Sequence, residues 1–205
     1  MFQSSKALTL PIILLSFLLT GLSQAQESED QTVELKIPEN SVLSDGVIDK
    51  KEMAQYLVLA NKQLAYLTAK ATEEYAPVLE IDNNAMPAAW MLMNDGVTVK
   101  ELTLDEAAGD APASIRVVMF RAALKSIARR GKINAAVILY AGQISEENDQ
   151  RALVVEHEHR LGISATKIVP FVIDNGQVKY AQSVTRKKPF QLFYDDKSGA
   201  PAAAS

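Results

Sequence analysis

The sequence predicts an α+β domain: a long N-terminal helix, a second helix, then an antiparallel sheet built as a four-strand meander. Three observations carry that expectation. Met53, Leu57, Ala60, Leu64, Leu67 and Ala71 recur at spacings of three and four, the period of one helix face. A second helical period runs from about Pro112 to Arg130. From Ile133 onward the period falls to two, and Asn175-Gly176 supplies the strongest hairpin signal in the chain. Helices gathered on one face of such a sheet would close its core.

The elements follow in order. Residues 1–25 read as a signal peptide: Lys6 supplies the positive start and Leu8 to Leu22 the apolar stretch. Ser23-Gln24-Ala25 fits small-residue cleavage after Ala25. That stretch is short against the roughly 20 residues of a membrane span, so an uncleaved anchor is the lesser reading. Cleavage leaves 180 residues with 20 basic against 25 acidic side chains. Residues 26–31 form a polar linker, 32–195 the single domain, and 196–205 a small-residue, disordered tail.

Within the domain, Val33, Leu35 and Ile37 alternate toward Pro38 as a short strand. Asp49 with Glu52 resembles a capping box, opening the first helix, which is expected to end near Tyr75. The same apolar stripe, over 53–71, could instead seam a homodimer. Ala89–Met93 and Val97–Glu101 flank Asn94-Asp95-Gly96 as two short strands; a one-turn helix opened by Pro87 is the alternative. Thr103 with Glu106 suggests a helical turn, and Gly131 ends the second helix. The four meander strands are then Ile133–Gly142, Arg151–Leu161, Thr166–Asp174 and Gln177–Thr185, with a polar loop at Ser145–Gln150.

Composition excludes more than it assigns. With 48% hydrophobic residues, 22% charged and few Gly or Pro, the chain is neither disordered nor fibrous. It has no cysteine, so disulfides, thiol nucleophiles, iron–sulfur clusters and Cys-based zinc sites are ruled out. An acidic balance argues against nucleic acid and against anionic membrane surfaces. The basic clusters Arg129-Arg130 with Lys132 and Arg186-Lys187-Lys188 read as a helix end and a protected strand edge.

The segments Ile127–Ala136, Val155-Glu156-His157-Glu158-His159-Arg160-Leu161-Gly162 and Ile168-Val169-Pro170-Phe171 resemble a group of small uncharacterised bacterial α+β proteins over about residues 113–180. In that pattern Glu158-His159-Arg160 matches, while His157 stands where an aliphatic residue is expected. The resemblance implies the helix-then-sheet order and no activity.

Candidate chemistry is sparse. His157 and His159, the only histidines, lie two apart on a strand and so share a face with Leu153 and Val155. Two imidazoles so placed can converge on a divalent transition metal, although zinc would need a third ligand from elsewhere; two core-side histidines are the commoner outcome. Glu156 and Glu158 share the opposite face, where paired carboxylates can divide acid and base roles. A solvated face, with Arg160 keeping both ionised, is the commoner outcome. Trp90, Met91 and Met93, with Met86, form an adaptable apolar cluster suited to binding or to core filling. Asp45-Gly46 with Glu52 imitates the second half of a calcium loop, but Leu43 occupies a position that must ligate. No phosphate loop, nucleophile elbow or zinc-protease motif occurs.

The sequence therefore predicts an exported, periplasmic or secreted, non-catalytic domain that binds an unidentified small ligand or protein. It requires no cofactor. The rivals are a metal-binding protein or metal-dependent enzyme using His157 and His159, and an oligomeric structural protein joined through helix 53–71.

Overall fold

The computed structural model describes residues 50–81, 85–105, 108–145 and 148–194. The predicted leader, linker, first strand, calcium-like segment up to Asp49, and tail lie outside them. Among these residues the fold is α+β with an antiparallel sheet, but the sheet has seven strands rather than four, and the helices cover both of its faces. The described helices, α1 (Lys50–Ile81) and α2 (Ala113–Arg129), accompany β1 (Ala88–Met93), β2 (Val99–Glu101), β3 (Ile133–Ser145), β4 (Asn148–His159), β5 (Ile163–Asp174), β6 (Gln177–Tyr180) and β7 (Val184–Lys187).

The extra strands arise in two ways. The β1–β2 hairpin joins the meander instead of standing apart, because Ala88 to Met93 pairs antiparallel with β3 and gives the order β2-β1-β3-β4-β5-β6. The expected strand 177–185 is broken into β6 and β7, both paired to β5. Pro170 sits between those two registers. Its carbonyl accepts the Ala181 amide at 2.8 Å, on the side where it has no N–H to offer. A proline is thus tolerated where the partner strand is interrupted. Asn175 (φ 53°) and Gly176 (φ 76°) both take the left-handed backbone that the β5–β6 hairpin requires.

Two-residue alternation then builds two cores. On one face, Leu64, Leu67, Ala71, Tyr75 and Leu79 of α1 meet Trp90, Leu92, Val137, Leu139, Leu153, Val155 and Phe171. On the other, Phe120, Leu124 and Ala128 of α2 meet Ala89, Ala136 and Ile138, with Leu192 and Phe193 from the C-terminal segment. A sheet buried on both faces explains why β3 reads as an almost unbroken apolar run.

Helix α1 continues past the expected end at Tyr75 and through Pro77 to Ile81, held by the buried Tyr75 and Leu79. The apolar stripe divides along its length. Leu64, Leu67 and Ala71 are spent on the sheet and Ala60 is buried, whereas Met53 and Leu57 are about half exposed, 51% and 42%. A dimer seam over the whole of 53–71 would need side chains already buried within the chain. The expected turn at 103–106 is irregular through Asp105, and Glu106 lies outside the described residues.

Candidate functional site

Three polar arrangements interrupt the two cores, and strand β4 positions two of them. Its odd residues face α1 and its even residues face α2, so His157 and His159 do share one face and Glu156 and Glu158 the other.

His159 is fully buried, and both its ring nitrogens are engaged. Nδ1 accepts the Leu161 amide at 3.0 Å, which leaves the proton on Nε2 to donate to Gln63 Oε1 of α1 at 2.8 Å. Burial, followed by the Arg160 charge, pushes its pKa down to about 4. Its lone pair is therefore occupied, as a metal ligand's would not be. His157 lies between Val137 and Ala165 of the flanking strands, with Nδ1 buried and without a hydrogen-bond partner among the described residues. Burial again lowers its pKa, and the Lys188 and Lys167 charges act in the same direction. Among the described residues, no group of three or more His, Asp or Glu side chains could hold a metal ion.

Glu156 and Glu158 are buried, not solvated, because α2 and residues 188–194 cover their face. Their partners are not Arg160, whose guanidinium donates to Asn134 Oδ1 at 3.2 Å. Glu156 accepts two hydrogen bonds from Arg121, one at 3.1 Å and one shorter, and a third from the Tyr140 hydroxyl at 2.8 Å. Lys188 Nζ stands 3.4 Å from it. Burial would raise the Glu156 pKa, but Arg121, Lys188 and Tyr140 together hold it below the usual range. Burial and the Glu156 charge raise the Tyr140 phenol. Glu158 accepts the backbone amides of Gln191 and Leu192 at 2.9 Å each and of Phe193 at 3.4 Å, with Lys188 Nζ at 3.2 Å. Apart from the Tyr140 bond, which lies within the sheet, these contacts fasten helix α2 or the C-terminal strap 188–194 to the sheet. Two carboxylates held by the same lysine and packed beneath a strap form a structural clamp.

The third arrangement is open. A cleft of about 380 Å³ lies at the β2 end of the sheet. Glu74, Tyr75 and Val78 of α1, Met86 to Ala88, Trp90 of β1, Glu101 of β2, Leu102 to Leu104, and Arg116 and Phe120 of α2 line it. Tyr75 anchors one wall: its hydroxyl donates to the carbonyls of Met86 (2.9 Å) and Ala85 (3.1 Å), and its ring meets Trp90 edge to face at 6.1 Å. Trp90 Nε1 donates to Glu74 Oε2 at 2.6 Å. Arg116 Nη1 donates to the Ala108 carbonyl at 3.1 Å, whereas its Nε is buried with no acceptor among the described residues.

Of the apolar cluster singled out by sequence, Trp90 and Met86 line this cleft. Met91 and Met93 are on the opposite face of β1, packed against the α2 core, because adjacent strand residues alternate. Sequence reasoning missed Gln63, Arg121, Tyr140, Lys188, Glu74, Glu101 and Arg116. Each acquires its role from a partner at least 16 residues away or from the cleft itself, and no local signal marks it. No family model, no curated protein and no solved structure matches the chain. The resemblance seen over 113–180 therefore gains nothing from them. No helix among the described residues is long and apolar enough to cross a membrane.

Proposed function

We propose that this is an exported binding protein whose small-molecule ligand enters the cleft at the β2 end of the sheet and leaves unchanged. The observation that carries this reading is the cleft itself. It combines an apolar floor, an aromatic wall and three charged side chains, in a volume within the range of ligand sites. The groups with reactive potential are elsewhere: the histidines are packed under α1 and the carboxylate pair under α2 and the strap. The leader at 1–25 supports export, and the short, charged strand β2 supports an edge protected from pairing with other chains.

Trp90 is the only tryptophan in the chain, so its fluorescence reports directly on the cleft. Titration with a panel of neutral, cationic, anionic and zwitterionic small molecules should give a saturable change for at least one class. Amide shifts should then map to residues 74–78, 86–90, 101–104 and 116–120. Saturable binding that maps to another surface would overturn the reading, as would a panel that leaves Trp90 unmoved at millimolar concentration.

A further inference from the structure

On the strength of that cleft reading, we infer that the ligand is a small zwitterion carrying an apolar group, of which a short hydrophobic peptide is the simplest form. The cleft brings charges of both signs to one surface without letting them neutralise each other. Among the described residues, Arg116 forms no ion pair with Glu74, Glu101 or any other acid, and Glu101 has no partner. Arg116 is restrained by the Ala108 carbonyl, and Glu74 by the Trp90 indole.

The alternatives fit less well. A neutral apolar ligand would desolvate Glu101 and the guanidinium and return no hydrogen bond, which is costly for charged groups. A simple cation would meet Arg116, and a simple anion would meet Glu74 and Glu101. A zwitterion satisfies both ends: its ammonium donates to Glu101 and to the uncommitted oxygen of Glu74, and its carboxylate accepts from Arg116. Val78, Met86, Leu102, Leu104 and Phe120 then receive the apolar group.

The test uses the whole purified chain and leucyl-leucine, with its N-acetyl, C-terminal amide and doubly blocked derivatives as the comparison set. Trp90 fluorescence should give leucyl-leucine a Kd at least about tenfold lower than either singly blocked form, as one lost charge-assisted contact implies. Arg116→Gln should abolish the preference for a free carboxylate and keep that for a free ammonium, and Glu101→Gln should do the reverse. Thermal melts confirm that both variants fold. Equal, saturable binding of all four compounds overturns the zwitterion and leaves the cleft reading standing. So does a response confined to neutral or singly charged members of the wider panel. Silence of Trp90 toward every compound overturns both.

Discussion

Replacing Glu158 with alanine should release the C-terminal strap from the sheet and destabilise the whole domain. The Glu158 carboxylate is fully buried and accepts two amides at 2.9 Å, a third at 3.4 Å, and the Lys188 ammonium at 3.2 Å. Hydrogen bonds to a charged acceptor contribute about 1.5–3 kcal/mol each, so the two short ones set a scale of about 3–6 kcal/mol. Removing one member of a buried ion pair costs about 3–5 kcal/mol, an independent figure of the same size. The loss should therefore be about 3–5 kcal/mol, and Tm should fall by about 6–20 °C for a domain of this length. Leu192 and Phe193, which close the α2 core, would be freed with the strap. Urea unfolding measures the loss, and amide exchange at 191–193 locates it. A loss under about 1 kcal/mol, or unaltered protection of those amides, would refute the clamp.

The other predictions concern acid stability, a tight turn and a helix interior. His159 has a pKa of about 4 when folded against 6.5 unfolded, so the unfolded chain takes up the proton first. Its contribution is complete above pH 6.5 and falls by at most about 3 kcal/mol as the pH drops to 4. Glu156, whose folded value is lowered, adds a loss of the same sign as the pH falls through that value. His159→Gln should flatten unfolding free energy between pH 4 and 6.5; an unchanged slope there sinks the account. Gly96 has φ +76°, and a Cβ on it would lie 2.6 Å from Gln63 Nε2, the side chain that holds His159. Gly131 has φ +65° with nothing within 4 Å. Both alanine variants should lose about 1 kcal/mol from backbone strain, but only Gly96→Ala should shift the His159 ring resonances. Pro77→Ala restores an amide donor inside α1 at an exposed position, and chemical denaturation should show a gain of about 1–2 kcal/mol.

Much of the fold was legible because it is written in short-range pattern. Helix α2, the β1–β2 hairpin, the Asn175-Gly176 turn and strands β3 to β5 follow from periodicity and turn chemistry within a few residues. The errors came where distant packing overrode a local cue. Pro77 marks a helix end by propensity, yet Tyr75 and Leu79 hold α1 against the sheet beyond it. Pro170 and the chain after Tyr180 break a strand that alternation alone reads as continuous. Glu156 and Glu158 read as a solvated pair because charged residues rarely occupy a buried face. They are buried because Arg121, Lys188 and three backbone amides arrive from residues 121 and 188–193.

The sequence by itself determined the α+β class, the absence of cysteine chemistry, an expected leader, and the shared face of each β4 pair, since side-chain alternation is a property of the strand alone. Only the tertiary structure decided that α1 and α2 take opposite faces of the sheet, that His159 is hydrogen-bonded beneath one and the glutamates clamped beneath the other, and that Glu74, Trp90, Glu101 and Arg116 meet at one cleft. The physical reason is reach. Alternation and helical period are fixed by bonds between neighbouring residues, whereas burial, ion pairing and a cleft are fixed by which surfaces the folded chain brings together.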